Sequence, residues 1–199
     1  MDMTERGVAK TVALLLLLAA ITQPIYTAFF IGAPEIDRRF LWRVEGLLFI
    51  MLACFAGTGL VLAKRYALGF SAIAFAAIFK LLAVGLGLTQ FFPFAAAGEI
   101  NADLSEVATS IVAFSFFCYN AANVLLGLAA IAFGLAKWAE HSRAIGAMTT
   151  GAGIIALTTN AVVMMFGFQG ILPSPVAGSS GVLATVLVVT CLLGIKSER

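Results

Sequence analysis

Hydropathy along the chain alternates between long apolar runs and short polar breaks. Six runs stand out, at about residues 8–32, 44–63, 66–90, 107–136, 144–170 and 176–195. Each is continuous rather than alternating, which predicts helices and not the strands of a barrel. A helix crosses a hydrocarbon core about 30 Å thick with about 20 apolar residues. All six runs reach that length, so the pattern predicts an all-α integral membrane protein, one domain folded as a six-helix bundle.

The breaks carry turn and interface chemistry. The first run follows Asp2, Glu5, Arg6 and Lys10 and looks at first like a secretory leader. It continues through Ile25, Tyr26, Phe29 and Phe30, longer than a leader needs, and is read as a retained helix kinked at Pro24. Ala33 to Arg43 mixes Arg38, Arg39 and Arg43 with Phe40 and Trp42, as interfacial segments do, and Asp37 is placed to cap a short helix there. The second span carries Gly57 and Gly59, suited to close packing or a local kink. Phe91 to Phe94 form an aromatic end to the third span. Ala95 to Glu106 reads as an acidic loop, with Asp103 and Glu106 at capping-box spacing before the fourth. Pro173 and Pro175 separate the fifth span from the sixth.

Composition narrows the class. The chain has 199 residues, 62% hydrophobic and 11% charged, with a mean hydropathy of +1.06. Soluble domains carry about 25% charged residues, so the solvent that this surface matches is lipid. A net charge of +2 gives no nucleic-acid signal. Cys54, Cys118 and Cys191 lie in apolar runs without CxxC spacing, which argues against a disulfide framework or a redox motif. His141 is the single histidine, so a bis-His haem or a His-rich metal site cannot be built within one chain, and no cofactor or metal is called for.

Lysine and arginine near the span ends set the expected orientation. With the N-terminus inside, eight cations fall on the inner side (Arg6, Lys10, Lys64, Arg65, Lys137, Arg143, Lys196, Arg199) and three outside (Arg38, Arg39, Arg43). Both termini are therefore expected in the cytoplasm, in a cell membrane of the bacterial inner-membrane type. Similar residues at the ends of two hairpins, Leu62-Ala63-Lys64 with Ala67-Leu68-Gly69 and Leu135-Ala136-Lys137 with Ala144-Ile145-Gly146, hint at a parallel repeat.

One charge stands inside an apolar run. Lys80 lies about 21 Å along the third span, in the outer third of the hydrocarbon. Glu45, near the outer end of the neighbouring span, is within reach of a lysine side chain. Gln23, Tyr26 and Asn160 fall at similar depth, and with Lys80 and Glu45 they can line an outward-facing, substrate-binding pocket. An unpaired intramembrane ion costs several kcal/mol, which makes it a functional candidate. The alternative is a lysine that snorkels to the headgroups. On the fourth span Ser115, Tyr119 and Asn123 recur at i, i+4 and i+8 and share a face, with Asn120 beside them. That stripe suits either a hydroxylated ligand or helix packing. Arg38, Arg39 and Arg43 are candidate anion or lipid contacts. They complement Glu99, Asp103 and Glu106, whose spacing places them on one helical face.

No metalloprotease, serine-hydrolase or nucleotide-binding motif is present. Three functions are consistent with these residues. The first is a small transporter, or a subunit of one, with its site at Lys80. The second is an accessory or scaffold protein that binds itself or a membrane partner through small-residue helix faces. The third is an enzyme acting on a lipid-like substrate.

Overall fold

The computed structural model describes residues 4–33, 36–37, 39–140, 142–167 and 174–195. Among the described residues the regular structure is helical throughout. It consists of α1 (Glu5–Gly32), α2 (Arg39–Leu62), α3 (Ala67–Leu86), α4 (Phe92–Gly98), α5 (Ala102–Ala139), α6 (Arg143–Phe166) and α7 (Ser174–Leu193). A 3₁₀ turn, Lys64–Tyr66, leads into α3, and a π-type turn, Gly87–Phe91, joins α3 to α4. Taken with those turns, α3 and α4 form one apolar segment, Lys64–Gly98. Among the described residues six helical segments are then long and apolar enough to cross a membrane.

Several ends differ from the hydropathy pattern, each for a local reason. The first helix starts at Glu5, where Thr4 caps it by accepting from the Gly7 amide at 3.1 Å. It continues past Pro24 to Gly32. The second starts at Arg39, five residues before the expected 44. Asp37 accepts from the Arg39 amide at 3.0 Å, and the interfacial Leu41 and Trp42 pack inward from the first turns. The third does not stop near 90. Pro93 cannot donate to the preceding turn, and the π-type turn falls just before it. Alanines 95–97 then favour helix, so the expected acidic loop shrinks to residues 99–101. Asn101, not Asp103, caps α5, accepting from the Asp103 amide at 3.1 Å. Glu99 therefore precedes α5 and does not share its face with Asp103 and Glu106.

Packing arranges α1, α2, α3, α5 and α7 in a ring in that order, and α6 lies outside it against α5 and α7. The Phe70 and Phe133 rings meet edge-on at 5.5 Å in the ring's interior. They fit because Gly59 and Gly69 leave space: a Cβ at Gly59 would lie 2.4 Å from the Phe70 ring, and one at Gly69 2.5 Å from Phe133. The α5–α6 interface is closer still. Gly127 faces Gly153 and Gly134 faces Gly146, with backbone atoms 2.7–2.8 Å from where a Cβ would sit at Gly127, Gly146 or Gly153. Small residues let the two antiparallel backbones approach this closely. Gly57 and Gly151 face open space.

Polar contacts fasten one end of the bundle, the end where α3 begins and α5 and α7 finish. Lys137 donates to Glu140 at 2.7 Å and to the Gly194 carbonyl at 2.8 Å, closing the C-terminus of α7. Tyr66 donates to Glu140 at 2.5 Å, and Arg65 lies 3.4 Å from the same carboxylate. Burial works against the charge on Glu140. The bonds from Lys137 and Tyr66, with the charges of Lys137 and Arg65, outweigh it and hold the carboxyl below its ordinary 4.5. We call this the terminal end, and the opposite one the distal end.

Candidate functional site

The distal half of the ring holds the charged pair. Lys80 projects inward from α3 and is 9% exposed, and Glu45 projects from α2 and is 4% exposed. Both side chains are therefore buried within the ring and not turned to its outer surface. They do not form an ion pair within 4.0 Å, although the field of Glu45 reaches Lys80. Each has separate company. Glu45 accepts hydrogen bonds from the Thr22 hydroxyl and from Gln23 Nε2 at 3.0 Å, both on α1. Lys80 Nζ lies 3.3 Å from the centroid of the Tyr119 ring on α5, a cation–π contact. The Tyr119 hydroxyl donates to Gln23 Oε1 at 3.2 Å. Gln23 thus connects the carboxylate to the aromatic group that carries the ammonium.

Gln23, Lys80 and Tyr119 border a cavity of about 40 Å³ with walls from all five ring helices; Glu45 and Thr22 stand behind that wall. Its polar lining is Gln23, Lys80, Tyr119, Asn123 and Thr185; the remainder, including Phe49 and Leu126, is mainly apolar. Gly181 on α7 makes room for one of the polar walls, since a Cβ there would lie 2.8 Å from Asn123 Cγ. The volume holds about one to three waters. It is far below the roughly 300–1,000 Å³ of pockets for metabolites or drugs.

The stripe on α5 faces inward along its whole length. Ser115 donates to the Ala83 carbonyl of α3 at 3.1 Å, Tyr119 stands under Lys80, and Asn123 donates to Asn160 Oδ1 at 3.1 Å. Tyr119 and Asn123 of this stripe line the same cavity as Lys80, which the sequence pattern kept separate; Ser115 does not. Asn120 is buried but bonds its own helix, donating to Phe116 O at 2.8 Å.

Asn160 stands one step behind the cavity. It is fully buried and donates to Ala156 O at 2.8 Å, to Ala177 O at 3.1 Å and to Ser180 Oγ at 3.3 Å. It therefore ties α6 to α7 and, through Asn123, to α5. Tyr26 lies nearer the distal end, stacked on Trp42 at 5.8 Å. Trp42 packs on Phe92 at 5.7 Å, and the Arg39 guanidinium covers the Phe92 ring at 5.3 Å. Gly87, in the π-type turn, admits the indole: a Cβ there would lie 2.6 Å from Trp42 Cζ3.

Arg39 pairs with Asp37 of its own loop at 2.7 Å and not with the acidic residues near α5. Its hydrogen bonds are the main cause that holds the exposed Asp37 down to about 2. Arg43 is exposed, and Arg38 and His141 lie outside the described residues. Sequence reasoning missed Thr22, the second donor to Glu45. A hydroxyl beside Gln23 in an apolar run was its only signal. It also missed the terminal-end cluster around Glu140, of which it counted only Arg65 and Lys137, as topology charges.

No family model, curated protein or solved structure matches the chain. The functional reading rests on the geometry alone.

Proposed function

We propose that the chain is a multi-pass membrane protein with both termini on the cytoplasmic side, and that it moves a small solute through a site at Lys80. The observation that carries this reading is the pair of buried charges. Lys80 and Glu45 come from different helices, sit inside the helix ring, and are held apart beside a cavity. A purely structural pair would gain most by direct contact, because separated charges in a low-dielectric interior forgo much of their attraction. Intramembrane ionisable groups facing a bundle interior mark solute and proton pathways. The distribution of Lys and Arg supports the orientation, which places Lys80 in the half nearer the outer surface.

The enzyme reading gains little from the geometry, since among the described residues no carboxylate, imidazole or thiol lines the cavity. The scaffold reading invoked the small-residue faces of the fifth and sixth spans. On the fifth, Gly146 and Gly153 are already occupied by α5, which leaves less surface for a partner. The test is solute flux in vesicles containing the purified protein. Lys80→Met is expected to abolish flux in protein that is still folded and inserted, although less stable than wild type. Flux at the wild-type rate in that variant overturns the site assignment.

A further inference from the structure

The hydrogen bonds of the cavity wall show which groups face Lys80. An ammonium has three N–H donors and no acceptor. Among the described residues Lys80 forms no hydrogen bond or ion pair, and its Nζ rests on the face of Tyr119. Lys80 lines the cavity. The N–H groups that the ring does not engage need acceptors there, because burial removes those of bulk water.

Two wall oxygens are left to accept. Asn160 fixes the orientation of the first. Its Nδ2 donates to the carbonyls of Ala156 and Ala177, which can only accept. Its Oδ1 is therefore the atom that meets Asn123. Asn123 must present Nδ2 to it, so the Asn123 Oδ1 is an acceptor without a donor among the described residues. Thr185 supplies the second. Its hydroxyl proton is spent on Gly181 O at 2.8 Å, and its lone pairs remain. Asn123 is 2% exposed and Thr185 6%, and both line the cavity.

Donors on α3 thus share a cavity with acceptors on α5 and α7. An anion would meet the two oxygens, and a metal ion would meet the ammonium. Water both accepts and donates, and about three polar partners are usual for a buried water. A volume of about 40 Å³ is enough for it.

We infer that this cavity is a binding site for water, in which a short run of ordered water accepts from Lys80 Nζ and donates to Asn123 Oδ1 and Thr185 Oγ1. The water completes the coordination of a cation whose nearest carboxylate is bonded to Thr22 and Gln23. It also links α3 to α7, which are not neighbours in the ring. Asn123 and Thr185 act as positioning residues, through the water. The inference needs Lys80 at the cavity and does not need transport, so flux measurements test only the earlier reading.

The test is a high-resolution crystal structure of the full-length protein. Ordered solvent is expected within hydrogen-bonding distance of Lys80 Nζ, continuing to Asn123 Oδ1 and Thr185 Oγ1. Crystals pressurised with xenon should hold none there, since dry apolar cavities are the ones that take it up. Well-ordered walls without solvent between them, or xenon in the cavity, overturn the site. An anomalous peak beside Lys80 after chloride is exchanged for bromide overturns it too, since that marks an anion. Thr185→Val keeps the shape of the side chain and removes the hydroxyl. The solvent beside it should be lost, and Thr185→Ser should keep it. Solvent unchanged in Thr185→Val overturns the link to α7. Should the valine variant fail to fold, the wild-type density decides.

Discussion

The Lys80 ammonium lies 3.3 Å from the centroid of the Tyr119 ring, while Glu45, the nearest opposite charge, is bonded to Thr22 and Gln23 instead. The cation is thus supported by a quadrupole rather than by a salt bridge. A salt bridge would fill the cation's coordination with protein atoms. A ring supports it from one side and leaves its N–H groups facing the cavity.

That arrangement separates the two parts of Tyr119. Tyr119→Phe keeps the ring and loses the hydroxyl bond to Gln23, a loss of about 0.6–1 kcal/mol for an interhelical hydrogen bond. Tyr119→Leu removes the ring as well, and a desolvated cation–π contact is worth about 2 kcal/mol. The leucine variant is expected to be clearly the less stable when unfolding free energies are measured in the same detergent. Equal losses would show that the ring does not support Lys80.

Glu45 and Lys80 are expected to be coupled despite their separation. Removing one partner of a buried charge pair costs about 3–5 kcal/mol, whereas replacing both by apolar groups is often neutral. Lys80→Met and Glu45→Gln should each destabilise. The double variant should be more stable than the sum of the two effects predicts, by about 1 kcal/mol or more. Additive effects in a double-mutant cycle would show that the two charges are independent.

The paired glycines of α5 and α6 predict opposite outcomes for neighbouring substitutions. Gly153→Ala places a methyl 2.7 Å from Gly127 O and is expected to cost about 1–3 kcal/mol. Gly151→Ala meets nothing within 4 Å and gains up to about 1 kcal/mol of helix propensity. Unfolding of the two variants, compared with wild type, checks the register of this interface directly.

Acid should loosen the terminal end. Glu140 has its carboxyl held below 4.5 in the folded protein, so its contribution to stability is present above that value. It is lost as pH falls through the lower folded value. Unfolding midpoints are expected to drop in that acidic window. In Glu140→Gln the part of the drop that belongs to this group should vanish. A pH profile unchanged by the substitution would show that Glu140 is not bound as described.

Parts of this structure were legible in the sequence because they depend on short-range pattern. The apolar runs located the six helical segments, and the 3.6-residue period placed Ser115, Tyr119 and Asn123 on one face, which the fold turns inward. The helix ends were harder. Residues 95–97 are alanines that extend a helix as readily as they fill a loop, and Asn101 competes with Asp103 for the same cap. The least legible contacts join residues far apart in the chain. Nothing local marks Thr22 as a donor to Glu45, or Tyr66 as a donor to Glu140. Each pairing follows from which helices become neighbours. Depth arithmetic brought Lys80 and Glu45 to one level but could not show that the cation would rest on the Tyr119 ring while Glu45 bonds Thr22 and Gln23.

The position of the Lys80 side chain is open to direct measurement by nuclear magnetic resonance, with labelled lysine in the protein embedded in nanodiscs. An ammonium this close to a ring face carries ε-methylene protons shifted upfield by the ring current. One lysine resonance with that shift is expected, absent in Lys80→Met, returned to its ordinary position in Tyr119→Leu, and insensitive to a paramagnetic probe at the lipid headgroups. A Lys80 resonance at the ordinary position and broadened by the headgroup probe would contradict the account, because it would place the charge at the membrane surface.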